Sequence, residues 1–203
     1  MKILCIGRNY VNHAKELGNE VPEEPVIFMK PESALSINDA PFIYPSFSKD
    51  LHYEAELVIK INKDGKNISE ENATEFYDEM TIGIDFTARD IQQQLKKKSL
   101  PWEKAKAFDG SAAVGRFIHI APEMKMDNIN FSFLKNNETV QQGNSKMMIF
   151  SINQIIANIS QYFTLNAGDL IFTGTPEGVG ECVTGDSLNG FIENELLLSI
   201  IVK

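Results

Sequence analysis

Glu54 and Glu56 stand two residues apart in Leu51-His-Tyr-Glu-Ala-Glu-Leu-Val-Ile-Lys60. In an extended strand side chains alternate between faces, so His52, Glu54 and Glu56 share one face and Tyr53, Ala55 and Leu57 the other. Two carboxylates beside an apolar run that must be partly buried are costly unless something neutralises them. A hard divalent cation does this, because carboxylate oxygens suit Mg²⁺, Mn²⁺ or Ca²⁺. A lone Glu-x-Glu is most often a solvated face. The pair Glu193 and Glu195 has the same spacing, but it straddles a turn at Asn194 and reads as solvated. Asp85 separates the two cases. It ends the apolar run Thr81-Ile-Gly-Ile, and Asp90 fits the N-cap of the following helix at least as well, which leaves Asp85 free as a third oxygen ligand.

His13 and Glu16 are three apart in Tyr10-Val-Asn-His-Ala-Lys-Glu16, so on a helical turn they face the same side. A glutamate can hold an imidazole in one tautomer and raise its basicity, which makes a base able to activate water. Lys30, before Pro31, and Lys106, in Lys104-Ala-Lys-Ala-Phe108, sit in apolar or tight settings. Either could offer positive charge to an anionic substrate or intermediate. Lys96-Lys-Lys98 instead reads as a solvated helix end that favours the helix dipole. Gly174-Thr-Pro-Glu-Gly-Val-Gly180 lacks the Lys-Ser/Thr ending of a phosphate loop, and Pro176 rules out a dinucleotide fingerprint. It can be a tight turn, or it can present backbone N–H groups and the Thr175 hydroxyl to a carboxylate.

Elements able to position these groups are mostly strands. Short β-type runs cover 3–6, 26–29, 54–61, 80–85, 113–120, 130–134 and 169–173, and a hairpin covers 188–202. Helical signals are fewer. Ser151-Ile-Asn-Gln154 fits a capping box ahead of Ile152, Ile155, Ile156, Ile159 and Phe163 at helical spacing. Further helices are expected from Ser69 and over about 89–97. Strand-rich stretches with few helices predict a β-dominated α+β fold, and the length of 203 residues predicts one domain over 1–203. Residues 19–25 read as a surface loop that could flank a lid.

With 28 acidic against 19 basic residues the net charge is -9, a surface that repels nucleic acid and anionic membranes. An anionic substrate is admitted only where a local cation reverses the field. The two cysteines, Cys5 and Cys182, make no disulfide framework and suit a reducing compartment. The apolar start stops after four residues, short of a signal sequence, and no run approaches ~20 apolar residues. A cytoplasmic location is expected.

Taken in order, these segments resemble the fumarylacetoacetate hydrolase family over nearly the whole chain. The matching pieces are Gly7-Arg-Asn-Tyr10 with His13 and Glu16, Phe28-Met-Lys-Pro31, His52-Tyr-Glu-Ala-Glu56, and Gly83-Ile-Asp-Phe-Thr-Ala-Arg-Asp90. Lys106-Ala-Phe-Asp109 and Gly174-Thr-Pro-Glu-Gly-Val-Gly180 complete the set. The resemblance, strongest to the short single-domain subgroup, implies a mixed β-roll with a few peripheral helices, a homodimer, and bound Mg²⁺ or Mn²⁺, with Ca²⁺ as a substitute. It implies Glu54, Glu56 and Asp85 as metal ligands; His52 stands outside the family's ligand set. It implies His13 and Glu16 as a dyad on a lid helix within about residues 1–24, and Lys106 as the cation near the chemistry. Arg89, Gln92 and Thr175 would contact the carboxylate of a small 2-oxo acid. The implied reaction is C–C hydrolysis of acylpyruvate-type acids through a metal-stabilised enolate. The alternatives are oxaloacetate decarboxylation or keto–enol tautomerisation, and isomerisation of 2-hydroxyhepta-2,4-diene-1,7-dioate. A metal-stabilised binding module without turnover is the reading from outside enzymology.

Overall fold

The apolar runs around Val58 and Ile82 fall in adjacent strands, and the fold is arranged so that both faces of each are covered. The computed structural model describes residues 1–203 except Leu17, Asn19, Asn38 and Asp39. In chain order the strands are β1 (Ile3–Gly7), β2 (Val26–Lys30), β3 (Leu35–Ile37), β4 (Leu51–Tyr53), β5 (Ala55–Ile61), β6 (Tyr77–Asp85), β7 (Thr87–Ala88) and β8 (Ala112–Val114). They continue as β9 (Ile118–His119), β10 (Asn130–Lys135), β11 (Glu138–Asn144), β12 (Leu170–Phe172), β13 (Gly180–Glu181), β14 (Ser187–Ile192) and β15 (Glu195–Ile201). The α-helices are α1 (Val11–Glu16), α2 (Arg89–Lys97), α3 (Glu103–Lys106) and α4 (Ile152–Tyr162). At 38% strand against 22% helix, the β-dominated mixed class expected from sequence is the observed one.

An eight-stranded sheet, curled into a half-barrel, runs β2-β1-β12-β5-β6-β8-β3 with β9 beside β6. Its pairs are antiparallel except β1–β12 and β3–β8. A four-stranded sheet runs β11-β10-β14-β15, and a three-stranded one β13-β4-β7. The large sheet separates two apolar clusters, and strand alternation assigns residues to them. Leu4, Ile6, Leu57, Ile59, Ile82, Ile84 and Ile171 join the main core. Ile3, Cys5, Val58, Leu170 and Phe172 join a smaller cluster on the opposite face. Glu56 and Asp85 have the parity of Val58 and Gly83, so they emerge on the side of the smaller cluster.

Two strands change sheets at the acidic residues. The expected strand 54–61 starts at Ala55. Glu54 lies between β4, in the three-stranded sheet, and β5, in the eight-stranded one. Its neighbour β6 ends at Asp85, and after Phe86 the chain re-pairs as β7 beside β4. The Asp85 N–H donates to the Glu54 carbonyl at 2.9 Å across this break. Both carboxylates therefore leave the backbone where a continuous ladder would have hidden them.

The capping box forms as expected: Ser151 Oγ accepts from Gln154 N–H at 3.3 Å, and Gln154 Oε1 accepts from Ser151 N–H at 2.9 Å. The helix expected from Ser69 is instead a 3-10 turn over Glu70–Phe76. Ser69 makes no capping bond there and only Ala73 is buried, so neither cap nor apolar stripe favours α geometry. The expected strand 113–120 is interrupted at Gly115–Phe117, where Arg116 N–H turns to the Leu197 carbonyl. No helix among the described residues is long and apolar enough to cross a membrane.

Candidate active site

Glu54, Glu56 and Asp85 are all buried, and one oxygen from each lies within 4.8 Å of the others. Strand register brings them together: Glu56 pairs across from Gly83, one step from Ala55 opposite Ile84. Gly83 has no room for a side chain, since a Cβ there would fall 2.8 Å from both the Ala113 carbonyl and Val58 Cγ2.

Three cations face the trio from other elements. Lys106, at the end of α3, donates to Glu54 Oε2 at 2.8 Å and to Asp85 Oδ2 at 2.6 Å. Arg89, first residue of α2, reaches Glu54 Oε1 at 2.5 Å and Gln92 Oε1 at 2.6 Å. Lys30, last residue of β2, lies 2.7 Å from Asp85 Oδ1 as an ion pair without hydrogen-bond alignment. Its Nζ donates to the Ser111 and Lys106 carbonyls and to Ser111 Oγ. Burial alone would raise the Glu54 carboxyl, but Lys106 and Arg89 hold it well below the usual range. Burial would likewise strip the Lys106 ammonium, and Asp85 and Glu54 hold its pKa up. Glu56 is the exception. Burial, Asp85 and Glu54 push its carboxyl well up, and its hydrogen-bond donor is the Gly174 N–H at 2.7 Å. One carboxylate of the trio thus has no ion-pair partner among the described residues.

The glycine-rich turn serves protein carboxylates. Gly174 adopts φ +102°, and a Cβ there would meet Asn9 Cβ at 2.6 Å, so glycine alone brings its N–H to Glu56. Gly178 N–H donates to Glu16 Oε1 at 3.1 Å. The other Glu16 oxygen lies 3.3 Å from His13 Nδ1, and His13 is buried on α1. The cleft encloses about 420 Å³, including space open to solvent, and Glu54, Glu56, Asp85, His13, Arg89, Gln92, Thr175 and Lys106 all line it. Every site residue expected from sequence lines this cleft except Glu16, which backs His13.

Residues 2–196 match the family described as fumarylacetoacetate (FAA) hydrolase, C-terminal. The chain belongs to that family. It is 43% identical over 189 residues to the oxaloacetate tautomerase YcgM of Escherichia coli K12, covering 92% of this chain and 86% of that one. It is 37% identical over 201 residues to the mitochondrial oxaloacetate tautomerase of Bos taurus, covering 99% and 91%. A crystal structure of fumarylpyruvate hydrolase from Pseudomonas aeruginosa, in complex with Mn²⁺ and pyruvate, superposes with a TM-score of 0.92 at 34% identity, covering all of this chain and 90% of that one. The family is one of enzymes, with hydrolase, tautomerase, decarboxylase and isomerase members.

The trio fits a divalent cation such as the Mn²⁺ in the fumarylpyruvate hydrolase structure. It offers only carboxylate oxygens, the donor set of a hard cation, and the uncompensated Glu56 is the group such a cation would neutralise.

Three sequence expectations need correction. The Thr175 hydroxyl is committed to the protein: it donates to the Ala55 carbonyl at 2.8 Å and accepts from Gln141 Nε2 at 2.9 Å. What Thr175 offers the cleft is not its hydroxyl proton. Asp90 is not the N-cap of α2, a place held by Ala88; from inside the first turn its carboxylate accepts the Ile91 N–H at 2.8 Å, and it also accepts from Ser48 Oγ and Lys49 N–H, tying α2 to the preceding loop. His52 shares parity with Glu54 but pairs with Asp50 at 2.8 Å, because the sheet change at Glu54 ends the common face.

Sequence reading left Gln141, Arg8 and Lys96 outside the site; Lys96, expected in a solvated helix end, is half-buried and lines the cleft. Gln141, on β11, holds Ala55 N–H, Thr175 Oγ1 and the Pro176 carbonyl, all at 2.9 Å. No local pattern marks it, since its partners lie 34 to 86 residues away. Arg8 lines the cleft with φ +61°, left-handed backbone that costs a side-chain-bearing residue about 1–2 kcal/mol.

Proposed function

We propose that this family member is a divalent-cation-dependent enzyme that hydrolyses a C–C bond in acylpyruvate-type 2-oxo acids. Glu54, Glu56 and Asp85 would hold Mg²⁺ or Mn²⁺. The observation that carries the reading is one cleft shared by a His13–Glu16 pair and a carboxylate trio in which Glu56 has no ion-pair partner among the described residues. When bound, the cation supplies Lewis-acid stabilisation of the negative charge that develops on a 2-oxo acid.

The protein's own groups do the rest. Arg89 and the Gln92 amide receive the substrate carboxylate, their mutual 2.6 Å bond holding both in place. Glu16 keeps a proton on His13 Nδ1, so Nε2 is free to take one from water. That water attacks the distal carbonyl, and the Lys106 ammonium faces the oxyanion. The bond between this carbonyl and the methylene breaks, and the proton that His13 took from water passes to the methylene, completing pyruvate and a second carboxylic acid. Helix α1 acts as a lid, held by Glu16 on Gly178 N–H and by Asn12 on Glu177 at 3.0 Å. Two buried, unpaired thiols agree with a cytoplasmic setting, and the family resemblance supports a homodimer.

Oxaloacetate tautomerisation or decarboxylation is the second reading, favoured by the 43% identity to a tautomerase. It needs the stabilised enolate and a proton shuttle but no attacking water. Acetylpyruvate and oxaloacetate, each followed by absorbance with Mn²⁺, Mg²⁺ or EDTA, separate the readings. We expect Mn²⁺-dependent release of pyruvate from acetylpyruvate, and a loss of ~10²–10⁴-fold in kcat for His13→Ala. Cation-dependent change with oxaloacetate alone favours the second reading. No change with either leaves a binding module.

A further inference from the structure

Two cations in the cleft have no acid to hold. Arg8 and Lys96 both line it and both are half-buried, and neither makes an ion pair or side-chain hydrogen bond among the described residues. Other half-buried lysines behave differently: Lys2 meets Asp169 at 2.6 Å, Lys60 meets Glu79 at 2.6 Å, and Lys135 lies 3.9 Å from Asp186. The buried cations Lys30, Arg89 and Lys106 all sit on carboxylates. In a chain with 28 acids and 19 bases, carboxylates are in excess, and of those in this cleft Glu54 and Asp85 are already paired with Lys30, Arg89 and Lys106, whereas Arg8 and Lys96 stay without an ion pair.

Both side chains are aimed by structure. Arg8 takes its left-handed backbone just before Asn9, a buried anchor whose amide donates to the Phe150 and Thr173 carbonyls and accepts from Phe150 N–H. Such outliers persist where surrounding contacts impose them, and they concentrate at functional sites. Lys96 lies on the face of α2 that carries Arg89 and Gln92, about 10 Å further along the axis, and helical side chains lean back toward the N-terminus. Its ammonium rests 5.7 Å from the Trp102 ring centroid. Both line one cleft, and burial and then the Arg8 charge lower the Lys96 pKa. An anion between them would remove that repulsion. Phe28 and Trp102, in edge-to-face contact at 5.9 Å, give the same cleft an apolar wall.

We propose that Arg8 and Lys96 form a second anion subsite that takes the distal carboxylate of a 2-oxo dicarboxylate. This rests on the proposed function for the placement of the first carboxylate. The cleft then selects dicarboxylic over monocarboxylic 2-oxo acids by charge at its outer end.

Oxaloacetate and 2-oxobutyrate share a four-carbon chain and differ in the distal carboxylate. Calorimetric titration of the Mn²⁺-loaded protein with each reads the subsite without requiring turnover. The wild type is expected to favour oxaloacetate, and Lys96→Gln and Arg8→Asn should each cut that preference about tenfold, the worth of one charge-assisted hydrogen bond. Asn tolerates positive φ, so Arg8→Asn adds no strain. Equal wild-type affinity for the two acids overturns the subsite, as does an equal loss of both in the variants. Should Arg8→Asn fail to fold, Lys96→Gln decides alone. Absence of turnover by a wild type that still prefers oxaloacetate sinks the catalytic reading and leaves the subsite standing.

Discussion

Gln141 Oε1 accepts the backbone N–H of Ala55 at 2.9 Å, and Ala55 is the residue between Glu54 and Glu56. Through Nε2 the same amide holds Thr175 Oγ1 and the Pro176 carbonyl, so one buried side chain ties the carboxylate strand to the turn that donates to Glu56. Gln141→Ala strands three polar groups and opens a cavity. A loss of about 2–4 kcal/mol in urea unfolding is expected. Mn²⁺ affinity should fall about 10–100-fold, as when partners of metal ligands are removed. An unchanged unfolding midpoint would show that water replaces the amide at no cost.

Lys106→Met removes the ammonium that bridges Glu54 Oε2 and Asp85 Oδ2. Lys30 and Arg89 remain, so the metal-free protein should lose about 3 kcal/mol, the low end for breaking a buried pair. Added Mn²⁺ should restore much of the loss by binding only the folded state. Thermal unfolding with EDTA and with saturating Mn²⁺ measures both; a loss that Mn²⁺ leaves untouched contradicts the assignment.

Glu56→Gln separates binding from stability. The folded chain raises the Glu56 pKa, first through burial and then through Asp85 and Glu54. Its contribution is therefore intact below the ordinary value of 4.5 and is lost as pH rises toward the raised one. At pH 8 in EDTA the amide should raise the melting temperature by about 2–4 °C, equivalent to ~1 kcal/mol in a chain of this size. Calorimetry on the same variant should show no Mn²⁺ binding. A variant that still binds Mn²⁺ with wild-type affinity excludes Glu56 as a ligand.

Both thiols should be silent in the native protein. Burial and then Asp85 push Cys5 well up, and burial and then Asp186 push Cys182 up to about 12. Neither supplies thiolate at pH 8, so Ellman's reagent should report no fast thiol before urea and two after it. The raised Cys182 pKa, with Tyr77 pushed by burial to about 12, stabilises the fold below the ordinary values of 9.0 and 10.0. That contribution fades as pH rises toward 12, so melting temperature should drop across this window. Cys182→Ala should flatten the part beginning near pH 9, and an unaltered slope would assign it to other groups.

The elements most legible in sequence were those whose cause is local. The Ser151 cap and the isoleucine stripe of α4 lie within a dozen residues, and α2 was readable over its whole span. β3 and β11 were not, because neither presents an apolar run of its own: β11 is Glu-Thr-Val-Gln-Gln-Gly-Asn, held by pairing with β10. The 3-10 turn after Ser69 shows the reverse, a sequence with a capping residue whose neighbours supply no face to bury.

The ingredients are written in the chain itself: a net negative charge, a Glu-x-Glu beside an apolar strand, an aspartate ending the next, and a histidine three residues before a glutamate. These depend on residue type and near spacing, which the chain carries wherever it folds. Tertiary packing puts Glu54 and Asp85 where two strands change sheets, and it pairs His52 with Asp50 rather than with the trio. It also brings Lys30 to Asp85 and Gln141 to Ala55, and it puts Arg8 and Lys96 in one cleft without an ion pair for either among the described residues. Those partners are set by strand register and helix docking, which no local window contains.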